Sequence, residues 1–319
     1  MTITLDRRDN ETLSLFQSQE NNSTILVYYK INGELYMSKL TLNRIVEKVD
    51  EMPVLPNRIN RIIEIVEDPD STVQDLENEI LKDQSLTSKV LKLANTTHYG
   101  YPRKISTVSR ATILLGFQSI KSIALASTVS KYLIGELEGY ALGKNDLWKQ
   151  SQTCGIISRY IGKKKGIGNP EKAYIAGLLR DIGKTILNHY VKDEYSKIVE
   201  MVEGKNPSFL DAERTILGFD HAEVGGKVAQ KWNFPEDLVE AIKYHHTPER
   251  ATENPELVSI VHIADAITMM MGIGIGADGM SYNFSQFAID ILDLGENEIE
   301  SIISETSDLI IDEDNFNVV

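Results

Sequence analysis

Apolar residues recur at intervals of three and four along most of this chain, and that period dictates helices. Ile59, Ile62, Ile63 and Val66 form one stripe, Leu76 and Ile80 a second, and Leu86, Val90, Leu91, Leu93 and Ala94 a third. Ile105, Val108 and the run Ala111-Thr112-Ile113-Leu114-Leu115-Gly116 form a fourth. Between them, Leu55-Pro56, Asp68-Pro69-Asp70-Ser71 and Tyr99-Gly100-Tyr101-Pro102 supply breaks, because proline and glycine interrupt helical hydrogen bonding. Thr72, with Asp75 three residues on, has the pattern of a capping box. Helices of this spacing, joined by short turns, can bury their stripes only against one another, so the fold class expected is all-α.

The exception is the N-terminus. Ile25 to Ile31 and Glu34 to Met37 are rich in β-branched and aromatic residues and flank Asn32-Gly33. Asn-Gly suits the two-residue turn of a hairpin, so a small β-hairpin extension is predicted. Two strands are marginal alone and must lean on something else. The division that follows is an extension over 1–48, a helical domain over 49–280, and a C-terminal helix with an acidic tail over 281–319. In that last segment Ile299, Ile302, Ile303, Leu309 and Ile310 predict a helix packed back on the body.

Composition narrows the partners. The chain has 319 residues and a formal net charge of −14, and its densest basic run is Lys163-Lys164-Lys165. A sequence-independent nucleic-acid binder needs clustered cations, so nucleic acid is not an expected partner. The lysine run is expected to be the solvated end of a helix. Cys154 is the single cysteine, which fits a reducing compartment, and its apolar setting predicts core packing. Neither an apolar leader nor a spanning segment is visible; the uncharged run Ala266 to Ala277 is short of the ~18 residues a membrane helix needs. The cytoplasm is the expected compartment.

The chemistry concentrates in Gly177-Leu178-Leu179-Arg180-Asp181-Ile182-Gly183-Lys184. This segment resembles the G-L-L-H-D-I-G-K signature of the HD superfamily of metal-dependent phosphohydrolases, with Arg180 where those enzymes place histidine. The exchange is not neutral: imidazole offers a lone pair to a metal, whereas guanidinium is a permanently charged donor without an acceptor.

A wider resemblance covers about residues 50 to 275. Lys82-Asp83-Gln84-Ser85-Leu86, Val90-Leu91-Lys92-Leu93-Ala94-Asn95, Tyr99-Gly100, Ile105-Ser106 and Ile113-Leu114-Leu115-Gly116 are similar to the HDOD family, mainly bacterial HD-related output domains. The likeness continues through Trp148, the Gly177 segment, Gly218 to Gly225, Trp232-Asn233-Phe234-Pro235 and His245-His246. It implies a multi-helix HD-like bundle and a signalling or regulatory role, usually without enzymatic activity. By the same resemblance, the early metal-binding histidine falls near Gln150, a poor ligand. Asp181 stands at the aspartate of the pair, Asp265 at the late aspartate, and His221, His245 and His246 at the additional histidines of two-metal relatives.

The residues themselves add physical content. His245 and His246 lie three and four positions past Ile242 on a helical apolar face, and Asp265 lies four past Val261. Buried polar groups on separate helices need partners. Those partners are either a single residual divalent ion held by Asp181, His221, His245, His246 and Asp265, or Arg180, bonded to Asp181 or Asp265 with no ion at all. Three functions stay open. The first is a non-catalytic signalling protein acting through contacts with unidentified signalling proteins. The second is a phosphohydrolase of nucleotides or cyclic dinucleotides with a reduced metal site. The third is a sensor in which Arg180 receives a phosphorylated, nucleotide-type ligand. His98, His189 and His262 match no ligand position and are expected to be surface or packing residues. Gly272 to Gly279 is expected to be a helix-ending loop, and Met269-Met270-Met271 core filling.

Overall fold

A computed structural model describes residues 2–5, 13–19, 25–31 and 34–38 by their backbone, and residues 49, 54–96, 99, 104–188, 208–276 and 284–310 in full. The N-terminal strands are β1 (Thr2–Leu5), β2 (Leu13–Gln19), β3 (Ile25–Ile31) and β4 (Glu34–Ser38), in an antiparallel sheet of order β1-β2-β3-β4. Ile31 pairs with Glu34, so β3 and β4 form the hairpin expected, and the turn residues Asn32 and Gly33 lie outside the described residues. That hairpin is half of a larger sheet. β2 pairs with β3, with Phe16 opposite Tyr28, and supplies the support that two strands lack. The outer pair escapes a sequence reading because β1 is only four residues long and β2 carries few β-branched residues.

The helical body begins with α1 (Asn57–Glu67), which buries Ile59, Ile62, Ile65 and Val66. In α2 (Val73–Leu81), the Thr72 side chain accepts from the Asp75 amide while Asp75 accepts from the Thr72 amide at 2.9 Å, the reciprocal cap expected. α3 (Gln84–Ala94) is capped by Asp83, and α4 (Val108–Leu115) by Thr107. Gly116, at φ +83°, turns the chain into α5 (Phe117–Leu133), whose near-continuous burial makes it the spine of this layer.

The second half starts with α6 (Asp146–Lys165) and α7 (Pro170–Leu179), with Pro170 at the first helical position of α7 and Asn169 as its cap. α8 (Phe209–Leu217), α9 (His221–Lys231), α10 (Glu236–Lys243) and α11 (Pro255–Met270) follow, then α12 (Gln286–Leu292) and α13 (Glu296–Ile310). α12 packs on α11 and α13 on α6, burying Ile302 and Ile310. The lysine run does end α6, but it is more than a solvated tip. Lys164 reaches Glu305 at 2.9 Å and Lys165 reaches Glu298 at 2.8 Å, both on α13. The acidic tail after residue 310 lies outside the described residues. Among the described residues, no helix is long and apolar enough to cross a membrane.

Three smaller expectations are settled by packing. α11 ends at Met270, and Gly272 and Gly274 follow at positive φ, so the described part of the glycine-rich segment is a helix-ending loop. Cys154 is fully buried, and burial pushes its thiol up to about 12, which fits core packing. The methionine run is not uniformly core: Met269 is buried, but Met270 is 60% exposed.

Candidate functional site

The site is built on the turn that follows α7. Its two glycines explain the tight assembly. A Cβ on Gly177 would sit 2.5 Å from Ser158 Oγ and 2.8 Å from the Cys154 carbonyl oxygen, so α7 can approach α6 only without one. A Cβ on Gly183 would sit 2.0 Å from the carbonyl oxygen of His221. The turn carrying Arg180 and Asp181 is therefore seated directly on the first residue of α9, which brings His221 beside Asp181.

Arg180 and Lys184 have no solvent exposure, and Asp181 has almost none. Arg180 Nε donates to Asp265 Oδ1 at 2.5 Å, and its Nη1 donates to the Gly177 carbonyl at 3.2 Å. Nη2 lies 3.3 Å from Asp181 Oδ2, and Lys184 Nζ is 3.1 Å from the same oxygen. Burial would raise the Asp181 carboxyl, but Lys184, Arg180 and His221 together hold it well below the usual carboxylate range. The guanidinium thus has the paired arrangement, hydrogen-bonded to Asp265 and within ion-pair distance of Asp181. The alternative expectation, a guanidinium facing a solvent-filled pocket for a phosphorylated ligand, meets a fully buried and bonded side chain.

On the other side of Asp181 lie three imidazoles. His221 Nε2 is 3.2 Å from Asp181 Oδ1 and 2.9 Å from His246 Nε2, and His245 Nε2 is 3.7 Å from Asp181 Oδ1. One ligand atom from each of Asp181, His221, His245 and His246 falls within a 4.8 Å spread. Asp265, expected among the ligands, is not in this group, and its Oδ1 accepts from Arg180. Gln150, on α6, is buried; its Nε2 contacts Met269 Sδ at 3.0 Å and its Oε1 has no hydrogen-bond partner. Met269 is one helical turn beyond Asp265 on α11.

The ring orientations are fixed from behind. His245 Nδ1–H donates to the Ile242 carbonyl at 2.7 Å, which turns Nε2 toward Asp181. His221 Nδ1 lies 2.7 Å from Glu213 Oε2, and Tyr140 donates to Glu213 Oε1 at 2.5 Å. Burial would lower His221, but Glu213 and Asp181 raise it to about 10. Burial lowers His245 to about 4 and holds His246 well below its ordinary value. Each buried acid thus has a basic neighbour: Asp265 has Arg180, Asp181 has Lys184, and Glu213 has the His221 ring.

Whether a metal fits can be judged from this donor set. Three imidazoles and a carboxylate suit a divalent transition ion. Two of the atoms concerned, Asp181 Oδ1 and His245 Nε2, are buried without a hydrogen-bond partner. The four residues fit one ion; the neighbourhood of Asp265, filled by guanidinium, does not fit a second.

Sequence reading had left out Glu213, Tyr140 and the role of Lys184. Glu213 did carry a signal. It sits at the fourth position after Phe209, among Phe209, Ala212, Ile216 and Leu217 on the buried stripe of α8, where a carboxylate demands a partner. His262, expected to be a surface or packing residue, is buried and braces the site. Its Nδ1–H donates to the His245 carbonyl at 2.7 Å, and its Nε2 accepts from the Ser285 amide. His98 and His189 lie outside the described residues.

Comparison with known proteins places this geometry. Residues 52–248 match the family model of the HDOD domain. An uncharacterized protein of Treponema pallidum (strain Nichols) is 26% identical over 249 residues, 76% of this chain and 47% of its own length. The chain therefore spans less than half of that relative. A solved HDOD domain protein of unknown function from Geobacter sulfurreducens is similar at 25% identity and a TM-score of 0.68, over 87% of this chain and 98% of that one. A protein from Shewanella amazonensis SB2B, named as a proposed phosphohydrolase, is similar at 25% identity and a TM-score of 0.67, over 86% and 97%.

Proposed function

The chain belongs to the HDOD family, and on that premise we propose that it is a non-catalytic regulatory protein whose HD-like scaffold presents surfaces to signalling partners in the cytoplasm. One observation carries the reading: Arg180 is buried with Nε 2.5 Å from Asp265, where a hydrolase of this architecture needs an ion. A guanidinium cannot activate water, and as a fixed cation it repels a divalent one. The pairing of the buried acids with basic side chains, Asp265 with Arg180 and Asp181 with Lys184, supports the same reading. The test is turnover of generic phosphodiesters and cyclic dinucleotides with added Mn²⁺, Mg²⁺ or Fe²⁺. The expected rate matches that of Asp181→Ala; robust hydrolysis that Asp181→Ala abolishes contradicts the proposal.

A second reading is favoured by the convergence of Asp181, His221, His245 and His246. These four would hold a single divalent ion, which would supply Lewis acidity or fix the relative positions of α9, α10 and the motif turn. Equilibrium dialysis against Co²⁺ tests it, with one bound equivalent expected and its loss in His245→Ala.

A further inference from the structure

We infer that Glu213, held in place by Tyr140, is a positioning residue that keeps the His221 ring with Nδ1–H turned away and Nε2 aimed at Asp181, His245 and His246. Glu213 is fully buried on α8, and its two oxygens have different duties. Oε2 accepts from the His221 backbone amide at 3.1 Å and faces His221 Nδ1 at 2.7 Å. Oε1 accepts from the Tyr140 hydroxyl. A carboxylate has no proton to give, so the nitrogen facing it must be the donor. That assignment holds whether the ring is neutral or charged, and it leaves Nε2 as the only nitrogen whose state can change.

The arrangement closes on itself. Lys184 Nζ lies 5.7 Å from the centre of the Tyr140 ring and pairs with Asp181, which neighbours His221 Nε2. Tyr140, Glu213, His221, Asp181 and Lys184 thus form a buried loop of contacts drawn from four separate segments. His245 repeats the principle with a backbone acceptor behind its Nδ1, so two of the three imidazoles present Nε2 to one centre. Carboxylates placed behind metal-binding histidines typically alter affinity by about 10- to 100-fold. For affinity, the inference rests on the one-ion reading of the cluster; for ring orientation it does not.

The experiment uses full-length protein labelled with ¹⁵N-histidine and freed of metal. The His221 Nδ1–H resonance is expected in the wild type, retained in Glu213→Gln and lost in Glu213→Leu. A wild-type spectrum with Nδ1 unprotonated overturns the inference, as does a Glu213→Leu spectrum unchanged at His221. If Glu213→Leu does not fold, Glu213→Gln and Tyr140→Phe decide: the first keeps the resonance, and the second keeps it with faster exchange with water. Co²⁺ titration of the same proteins should weaken about tenfold in Glu213→Gln. If no variant binds Co²⁺, the one-ion reading fails while the nitrogen spectra still decide the role of Glu213.

Discussion

Arg180 and Asp265, on different helical segments and both buried, are joined at 2.5 Å through Nε and Oδ1. This pair divides the polar interior into two halves. One is closed by guanidinium, and in the other Asp181 faces three imidazoles.

The imidazoles make opposite demands on pH. His245 is lowered to about 4 from an ordinary 6.5, so its contribution to stability is present above pH 6.5 and lost as pH falls toward 4. His246 is lowered as well and acts in the same direction. His221 is raised to about 10, so its contribution is present below pH 6.5 and lost as pH rises toward 10. Urea midpoints of metal-free protein should therefore peak near pH 6.5. His221→Gln should flatten the alkaline limb, and an alkaline limb of unchanged slope would count against the charged His221.

Restoring ligands should restore binding. Gln150→His with Arg180→His removes the guanidinium, releases Asp265 and supplies the two imidazoles that the resemblance assigns to these positions. Elemental analysis of the double variant, loaded with Mn²⁺ or Co²⁺, is expected to show one more equivalent than wild type. No gain would mean that Gln150 does not stand at the ligand position.

Close packing at the motif turn gives a prediction independent of charge. Gly183→Ala places a methyl 2.0 Å from the His221 carbonyl oxygen, whereas the same change at Gly135 meets nothing within 4 Å. Overpacking of this kind costs about 1–3 kcal/mol or more. Denaturant unfolding should show Gly183→Ala strongly destabilised and Gly135→Ala close to wild type; equal effects would refute the seating of the turn on α9.

Much of this was legible in the chain itself. The stripes Ile59-Ile62-Val66 and Leu86-Val90-Leu93 lie on buried faces, and Thr72 and Asp75 cap as their spacing requires, because these depend on neighbours within one or two turns. β1 and β2 were not legible, since four and seven residues with little alternation carry a weak local signal. The site was legible in part. Asp181 and His221 were identified through resemblance, but their meeting depends on the Gly183 contact, which no periodicity encodes. Arg180 had two open partners, Asp181 and Asp265, and the structure gives it both. Glu213 stands on a legible apolar stripe, but its partner His221 lies on the next helix, and no local pattern encodes that meeting.

The central claim is that Arg180 does the electrostatic work of a missing ion, and a double-mutant cycle tests it most directly. Urea unfolding of wild type, Arg180→Ala, Asp265→Ala and the double variant supplies the four free energies. Removing Arg180 leaves Asp265 buried without its cation, at a cost of about 3–5 kcal/mol, and removing Asp265 leaves Arg180 with Asp181 alone, at a smaller cost. Removing both should cost little more than removing Arg180 alone, so the coupling should approach the cost of Asp265→Ala. Wild-type stability in Arg180→Ala, or single costs that simply add in the double variant, would contradict the account.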